Sequence, residues 1–210
     1  MKPIIIINFK TYKQGKDVLK LAKQIEKVNN DIIIGVQAND IYEINKLTKL
    51  KVYSQHVDYQ KKGKNTGFIL PESIKKDKAV GSFLNHSEHK LSFSILNKTI
   101  KRCKKLKLKT IVFVASLKEA QKIKTLKLDY LIIEPPELVG GKRSISKAKP
   151  ELITNIKNKL KIKFLVGAGI HTKEDVKIAM KLGASGIAIS SAITKSKNPM
   201  RFLRDINSIK

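Results

Sequence analysis

Ile4-Ile5-Ile6-Ile7-Asn8-Phe9-Lys10-Thr11-Tyr12, then the stretch Lys16–Val28, then Ile32-Ile33-Ile34-Gly35-Val36, decides the fold. The first run is apolar at four successive positions before Asn8. A strand of that kind is buried on both faces, as in a parallel sheet covered by helices. Lys16–Val28 places Val18, Leu21, Ala22 and Ile25 at the i, i+3, i+4 spacing of an amphipathic helix. The same alternation recurs along the chain. Strands are expected at Ile4–Ile7, Ile32–Val36, Lys51–Ser54, Ala79–Leu84, Thr110–Val114, Tyr130–Ile133, Lys163–Val166 and Gly186–Ile189. Helices are expected at Lys16–Val28, Ile41–Leu47, Glu72–Lys76, Ser92–Lys105, Leu117–Thr125, Pro150–Leu160, Lys173–Lys181 and Pro199–Ile206.

Eight strand–helix units share 210 residues, which meets the lower size limit of a (β/α)8 barrel at about 200 residues. No linker or low-complexity block divides the chain. The expectation is an α/β fold: one (β/α)8 barrel domain over residues 1–210, with a parallel eight-stranded core. A doubly wound open sheet is the alternative, but no Gly-x-Gly-x-x-Gly follows the first strand.

Composition narrows the function classes. With 41% hydrophobic and 29% charged residues the chain can build a core, so wholesale disorder is not expected. The apolar runs are far too short to cross a bilayer. Lys2 and Pro3 lead straight into the isoleucines without a signal-peptide pattern, so a cytoplasmic protein without membrane contact is expected. Cys103 is the single cysteine, which excludes an internal disulfide and a thiolate zinc cluster. Lysine and arginine number 44 against 17 acids, a net charge of +27. Only Arg102, Arg143, Arg201 and Arg204 are arginine, and the lysines are spread along the whole chain. That pattern favours anionic small molecules over nucleic acid as a primary partner.

In a barrel, function sits just past the carboxyl ends of the strands. The first strand runs into Asn8 and Lys10, the fourth into Asn85-His86-Ser87-Glu88 and the sixth into Glu134-Pro135-Pro136. The seventh ends in Gly167-Ala168-Gly169 and the eighth in Ser190-Ser191. Singly, Lys10 reads as a surface lysine, His86 as a cap, and the glycines and serines as turns. Glu134 follows three apolar residues, where a carboxylate without a task would be costly. Together on one rim they suggest proton transfer beside a carbonyl on a small phosphorylated substrate. The small-residue turns would offer N–H groups to the phosphate, and His86 and Lys10 would stabilise the developing oxyanion. An aldolase or sugar-phosphate epimerase is a second enzyme reading. Schiff-base chemistry would need an inward lysine, and the expected strands hold only Lys51 and Lys163, both at strand starts.

Several segments resemble the triosephosphate isomerase family, in its compact archaeal branch. They are Asn8-Phe9-Lys10-Thr11-Tyr12, Leu84-Asn85-His86-Ser87-Glu88, Glu134-Pro135-Pro136-Glu137-Leu138-Val139-Gly140, Ser146-Lys147-Ala148-Lys149-Pro150, Val166-Gly167-Ala168-Gly169-Ile170 and Thr194–Pro199. The resemblance runs in order along the chain. It implies a TIM barrel isomerase of glycolysis and gluconeogenesis that interconverts dihydroxyacetone phosphate and D-glyceraldehyde 3-phosphate, with neither metal nor organic cofactor. Glu134 would be the base, His86 the electrophile, and Asn8 and Lys10 a substrate-binding pair, Lys10 also catalytic. Val139, Gly169, Ser190 and Ser191 would bind substrate, mainly its phosphate. Glu88 would pair with Lys10. The glutamate base with a neutral histidine is the family's own arrangement, taken from it. A helix starting just after His86 would favour the neutral ring.

The resemblance also implies a homo-oligomer, a tetramer or a dimer, with Gln55–Gly67 and Ser92–Lys105 as interface candidates. Residues after Pro135 should form a lid with Leu138 and Val139 at its tip, hinged at Gly140-Gly141-Lys142, where the family more often has Gly-Thr-Gly.

Overall fold

Alternation along each strand sorts its apolar residues into two layers, because successive side chains point to opposite faces. Ile6, Ile33, Tyr53, Phe83, Ile111, Phe113, Ile132, Leu165 and Ala188 form one buried cluster, the filling of a barrel. Their neighbours Ile5, Ile7, Ile34, Val52, Leu84, Val112, Leu131, Ile133, Val166 and Ile187 face out into a larger cluster beneath the helices. Each fully buried side chain of this kind contributes roughly 1.5–3 kcal/mol relative to exposure. The quadruple isoleucine run is thereby explained: two of its members serve each layer or its margin.

The computed structural model describes residues 2–141 and 143–209. The strands are β1 (Ile4–Asn8), β2 (Ile33–Val36), β3 (Lys51–Ser54), β4 (Gly81–Leu84), β5 (Lys109–Val114), β6 (Tyr130–Ile133), β7 (Phe164–Val166) and β8 (Gly186–Ile189). All neighbours pair in parallel, and β8 returns to β1 through Ile4↔Gly186 to Ile7↔Ile189, closing the barrel. The helices are α1 (Lys16–Val28), α2 (Ile41–Leu47), α3 (Pro71–Lys76), α4 (Phe93–Lys105), α5 (Leu117–Ile123), α6 (Ile145–Ala148), α7 (Pro150–Leu160), α8 (Lys173–Lys181), α9 (Ser191–Thr194) and α10 (Pro199–Asn207). Starts follow local chemistry. Pro71, Pro150 and Pro199 open α3, α7 and α10, where a missing N–H costs nothing. Thr172 and Asp175 form a reciprocal capping box on α8.

Two differences from the sequence expectation bear on the rim. The helix after His86 begins only at Phe93, so it does not start against the imidazole. The four-residue helices α6 and α9 were not anticipated, being about one turn long and too short to display a period. No helix among the described residues is long and apolar enough to cross a membrane. Lys142, the last residue of the expected lid hinge, lies outside the described residues.

Candidate active site

Simple alternation delivers most of the rim. Asn8 ends β1 two residues after the inward Ile6, Glu134 lies two after Ile132, Gly167 two after Leu165, and Ser190 two after Ala188. Asn8 is buried, and its Oδ1 accepts the Lys10 N–H at 3.0 Å. Lys10 has φ of 48° and a side chain only 12% exposed, and its ammonium meets Glu88 Oε1 at 2.5 Å. Gln55, which sequence reasoning did not single out for the site, holds this loop by donating to the carbonyls of Lys10 (2.8 Å) and Gly35 (3.2 Å).

His86 is 7% exposed and rests edge-on against Phe113, ring centroids 4.8 Å apart. Its Nδ1 accepts the backbone N–H of Glu88 at 3.1 Å. An N–H aimed at Nδ1 leaves that nitrogen without a proton, so a neutral ring carries its hydrogen on Nε2. A Glu88 carboxylate oxygen also lies 3.6 Å from Nδ1, but the backbone donor already occupies the nitrogen. The helix expected to favour the neutral ring is thus replaced by a turn: His89 N–H closes on His86 O at 2.9 Å, and the Glu88 amide points inward.

His86 Nε2 and Glu134 Oε2 approach to 2.8 Å. They are not aligned for a hydrogen bond, and both atoms are buried without another partner among the described residues. Buried unpartnered polar atoms are costly. Here a donor and an acceptor stand between two cavities, one bordered by His86 and the other by Glu134, from which a ligand could supply their partner. Ser190 Oγ is a third such atom. Glu134 fits because Gly167 stands opposite: a Cβ there would lie 2.7 Å from Glu134 Oε1.

Two cavities meet at Lys10. One, of about 480 Å³, is bordered by Asn8, His86, Glu88, Gln55 and His56. The other is bordered by Glu134, Val139, Gly140, Gly169, Ser190 and Ser191. Asn8, His86 and Glu88 therefore share the first space, and Glu134, Val139, Gly169, Ser190 and Ser191 the second. Ala168 and Gly169 are both left-handed, φ 74° and 64°. At Gly169 a Cβ would fall 2.1 Å from the Arg143 carbonyl oxygen, so glycine is required for the close approach as well as the angle.

The segment expected to form a lid departs from expectation at its tip. Pro136–Leu138 form a 3-10 turn, with Val139 N–H on Pro136 O at 3.1 Å. Val139 borders the cavity, whereas Leu138 packs onto the outer core. Gly140 is left-handed at φ 72° but Gly141 is not, and Gly141 O lies 3.0 Å from Nε2 of His171. A Cβ at Gly141 would press on Leu138 O at 3.2 Å, so a threonine there gains order at the expense of that contact. Glu137 pairs with Lys149 across the base of this segment. Lys51 and Lys163 are exposed at the foot of the barrel, leaving neither placed for a Schiff base.

Fold and site together define a (β/α)8-barrel enzyme class with a carboxylate–imidazole pair at the carboxyl rim. The family model described as triosephosphate isomerase matches residues 3–208, and the chain belongs to that family. It is 42% identical to the triosephosphate isomerase of Sulfurisphaera tokodaii, covering 99% of this chain and 96% of that one. It is also 42% identical to that of Saccharolobus solfataricus (97% and 94% covered) and 38% identical to that of Methanocaldococcus jannaschii (97% and 98% covered). The crystal structure of triosephosphate isomerase from Bartonella henselae superposes with a TM-score of 0.73 over 92% of this chain and 94% of that chain. Its identity is 17%, so that likeness speaks to the fold alone.

Proposed function

We propose that this chain interconverts dihydroxyacetone phosphate and D-glyceraldehyde 3-phosphate through an enediolate, as a glycolytic isomerase acting from a single barrel domain. The observation that carries the reading is the buried pair His86 Nε2 and Glu134 Oε2, 2.8 Å apart beside the cavities and without hydrogen-bond partners among the described residues. In this reading a substrate carbon bearing the mobile proton enters against the Glu134 carboxylate. Glu134 removes that proton and returns it to the adjacent carbon. The Nε2–H of His86 donates to the carbonyl oxygen while it gathers negative charge and passes its proton to it. Nε2 then takes the proton of the neighbouring hydroxyl oxygen, which becomes the new carbonyl, so the ring ends as it began, with the Lys10 ammonium beside the same space. Asn8 orients the Lys10 loop. Backbone N–H groups at Gly169, Ser190 and Ser191 take the phosphate, with the Ser190 Oγ in reach of it; Val139, whose N–H is held by Pro136 O, borders the same space and closes it from the substrate side. The reaction so described needs no metal or organic cofactor.

A coupled isomerase assay with Glu134→Gln and His86→Gln tests this. The wild type is expected to turn over. Glu134→Gln retaining more than about a tenth of the rate would remove the role given to Glu134.

The same reading takes the chain as a cytoplasmic homo-oligomer, a tetramer or a dimer. Exposed Phe68, Phe93 and Ile95, on the segment after β3 and at the start of α4, support association there. A monomer by light scattering at both low and high salt would refute it.

A further inference from the structure

The alternation that delivers Asn8, Glu134 and Ser190 does not deliver His86. On β4, Phe83 faces the barrel interior and Leu84 the helices. By parity residue 85 should point inward and residue 86 outward. The chain changes phase at Asn85, whose φ is 61°. His86 thereby turns in against Phe113, while the Asn85 side chain reaches out to α5. A left-handed residue other than glycine persists only where its surroundings hold it.

Every polar side-chain atom of Asn85 is held. Its Nδ2 donates to Phe113 O and to Glu119 Oε1, both at 2.8 Å, and its Oδ1 accepts the Leu91 N–H at 3.0 Å. Glu119 lies in the first turn of α5. Its Oε2 accepts the Ala115 N–H at 2.7 Å, and its Oε1 also accepts the Lys90 ammonium at 2.7 Å. One carboxylate therefore ties together the end of β5, the far side of the His86 loop, and Asn85. Burial opposes the charge on Glu119, but its hydrogen bonds from Lys90, Ala115 and Asn85 outweigh burial and hold the carboxyl below its ordinary value.

We propose that Glu119 is a positioning residue for the isomerisation: it locks Asn85 into the left-handed turn that aims the His86 imidazole at the substrate carbonyl. The proposal rests on His86 being the electrophile. Glu119 touches neither cavity, and the phosphate loops follow β6, β7 and β8 on another part of the rim. Its loss therefore acts on the chemical step and leaves phosphate binding alone.

The test is steady-state kinetics of Glu119→Gln, Asn85→Gly and the double variant, beside His86→Gln, with competitive inhibition by inorganic phosphate and a melting curve for each. Glutamine has one acceptor oxygen and no charge, so it cannot hold Ala115, Lys90 and Asn85 together. Expected in folded Glu119→Gln is a fall in kcat of about tenfold to a hundredfold, with phosphate inhibition unchanged. Glycine takes φ of 61° without strain, so an equal loss in Asn85→Gly belongs to the missing staple. The double variant should be no worse than the worse single, because both act through one turn.

Unchanged kcat in folded Glu119→Gln, an effect confined to KM, or additive losses would each overturn the proposal while loss of activity in His86→Gln leaves the functional reading standing. If Glu119→Gln does not fold, Asn85→Gly decides by the same criterion. An active His86→Gln would overturn the reading of His86 and the proposal with it.

Discussion

Glu134 owes its position to a residue it never bonds. Gly167, in the inward position after β7, leaves the space that the Glu134 carboxylate fills, and a methyl group there would come within 2.7 Å of Oε1. The two backbones are fixed, with Gly167 N–H bonded to Ile133 O and Glu134 N–H to Val114 O, both at 2.8 Å, so the part that yields is the Glu134 carboxylate itself. Gly167→Ala should therefore push the carboxylate away from its place facing His86. The expected result is a drop in kcat of about tenfold or more, with inorganic phosphate inhibiting as before and the fold retained. Wild-type kcat in that variant would mean the carboxylate relocates freely and Gly167 is merely a turn.

At the scale of elements, the chain around α6 is anchored from behind by α8. Asp175 accepts hydrogen bonds from Ser144 Oγ (3.0 Å), His171 N–H (3.2 Å) and Thr172 N–H (3.0 Å), and pairs with Lys147 at 2.8 Å. Ser146 Oγ bonds to the Asp175 carbonyl at 3.1 Å. The chain that follows Gly140 and Gly141 is thereby joined to the loop after β7 that borders the cavity beside Glu134. Burial would raise the Asp175 carboxyl, but its hydrogen bonds from Lys147, Thr172, His171 and Ser144 prevail and push it down to about 2. A folded value below the unfolded one means that the network stabilises the fold above about pH 4 and loses this contribution as pH falls from about 4 to 2. Asp175→Asn is expected to cost about 1–3 kcal/mol at neutral pH and little near pH 2. Urea denaturation of both proteins across that range checks it; a constant difference at all pH values would contradict the assignment.

Over the whole molecule the dominant quantity is the net charge of +27. A dianionic triose phosphate approaches a positive body whose cavities meet at Lys10. When chemistry is fast, encounter limits kcat/KM near the diffusional ceiling. Steering by the protein's field then acts over a Debye length of about 10 Å at 0.1 M salt. We expect kcat/KM to fall as ionic strength rises from low to physiological values, with kcat little changed. A flat kcat/KM would show that the lysines do not focus on the mouth, or that a step after encounter is limiting.

What the sequence determined by itself was whatever local period and strand-end position can express. Apolar runs on both faces implied the parallel barrel, and reading the residue past each strand brought Asn8, Lys10, His86, Glu134, Gly169, Ser190 and Ser191 to one rim. The structure contributed what depends on pairs remote in the chain. Asn85 meets Glu119 34 positions on, Ser144 meets Asp175 31 positions on, and Gln55 reaches Lys10 45 positions back. Strand parity alone would have turned His86 outward, and nothing local in Leu84-Asn85-His86 announces the left-handed residue that reverses it. The imidazole tautomer likewise comes from the Glu88 amide in an irregular turn, and not from a helix start. Periodicity records which face is buried, whereas the direction of a polar group is settled by partners that the closed barrel brings within about 3 Å.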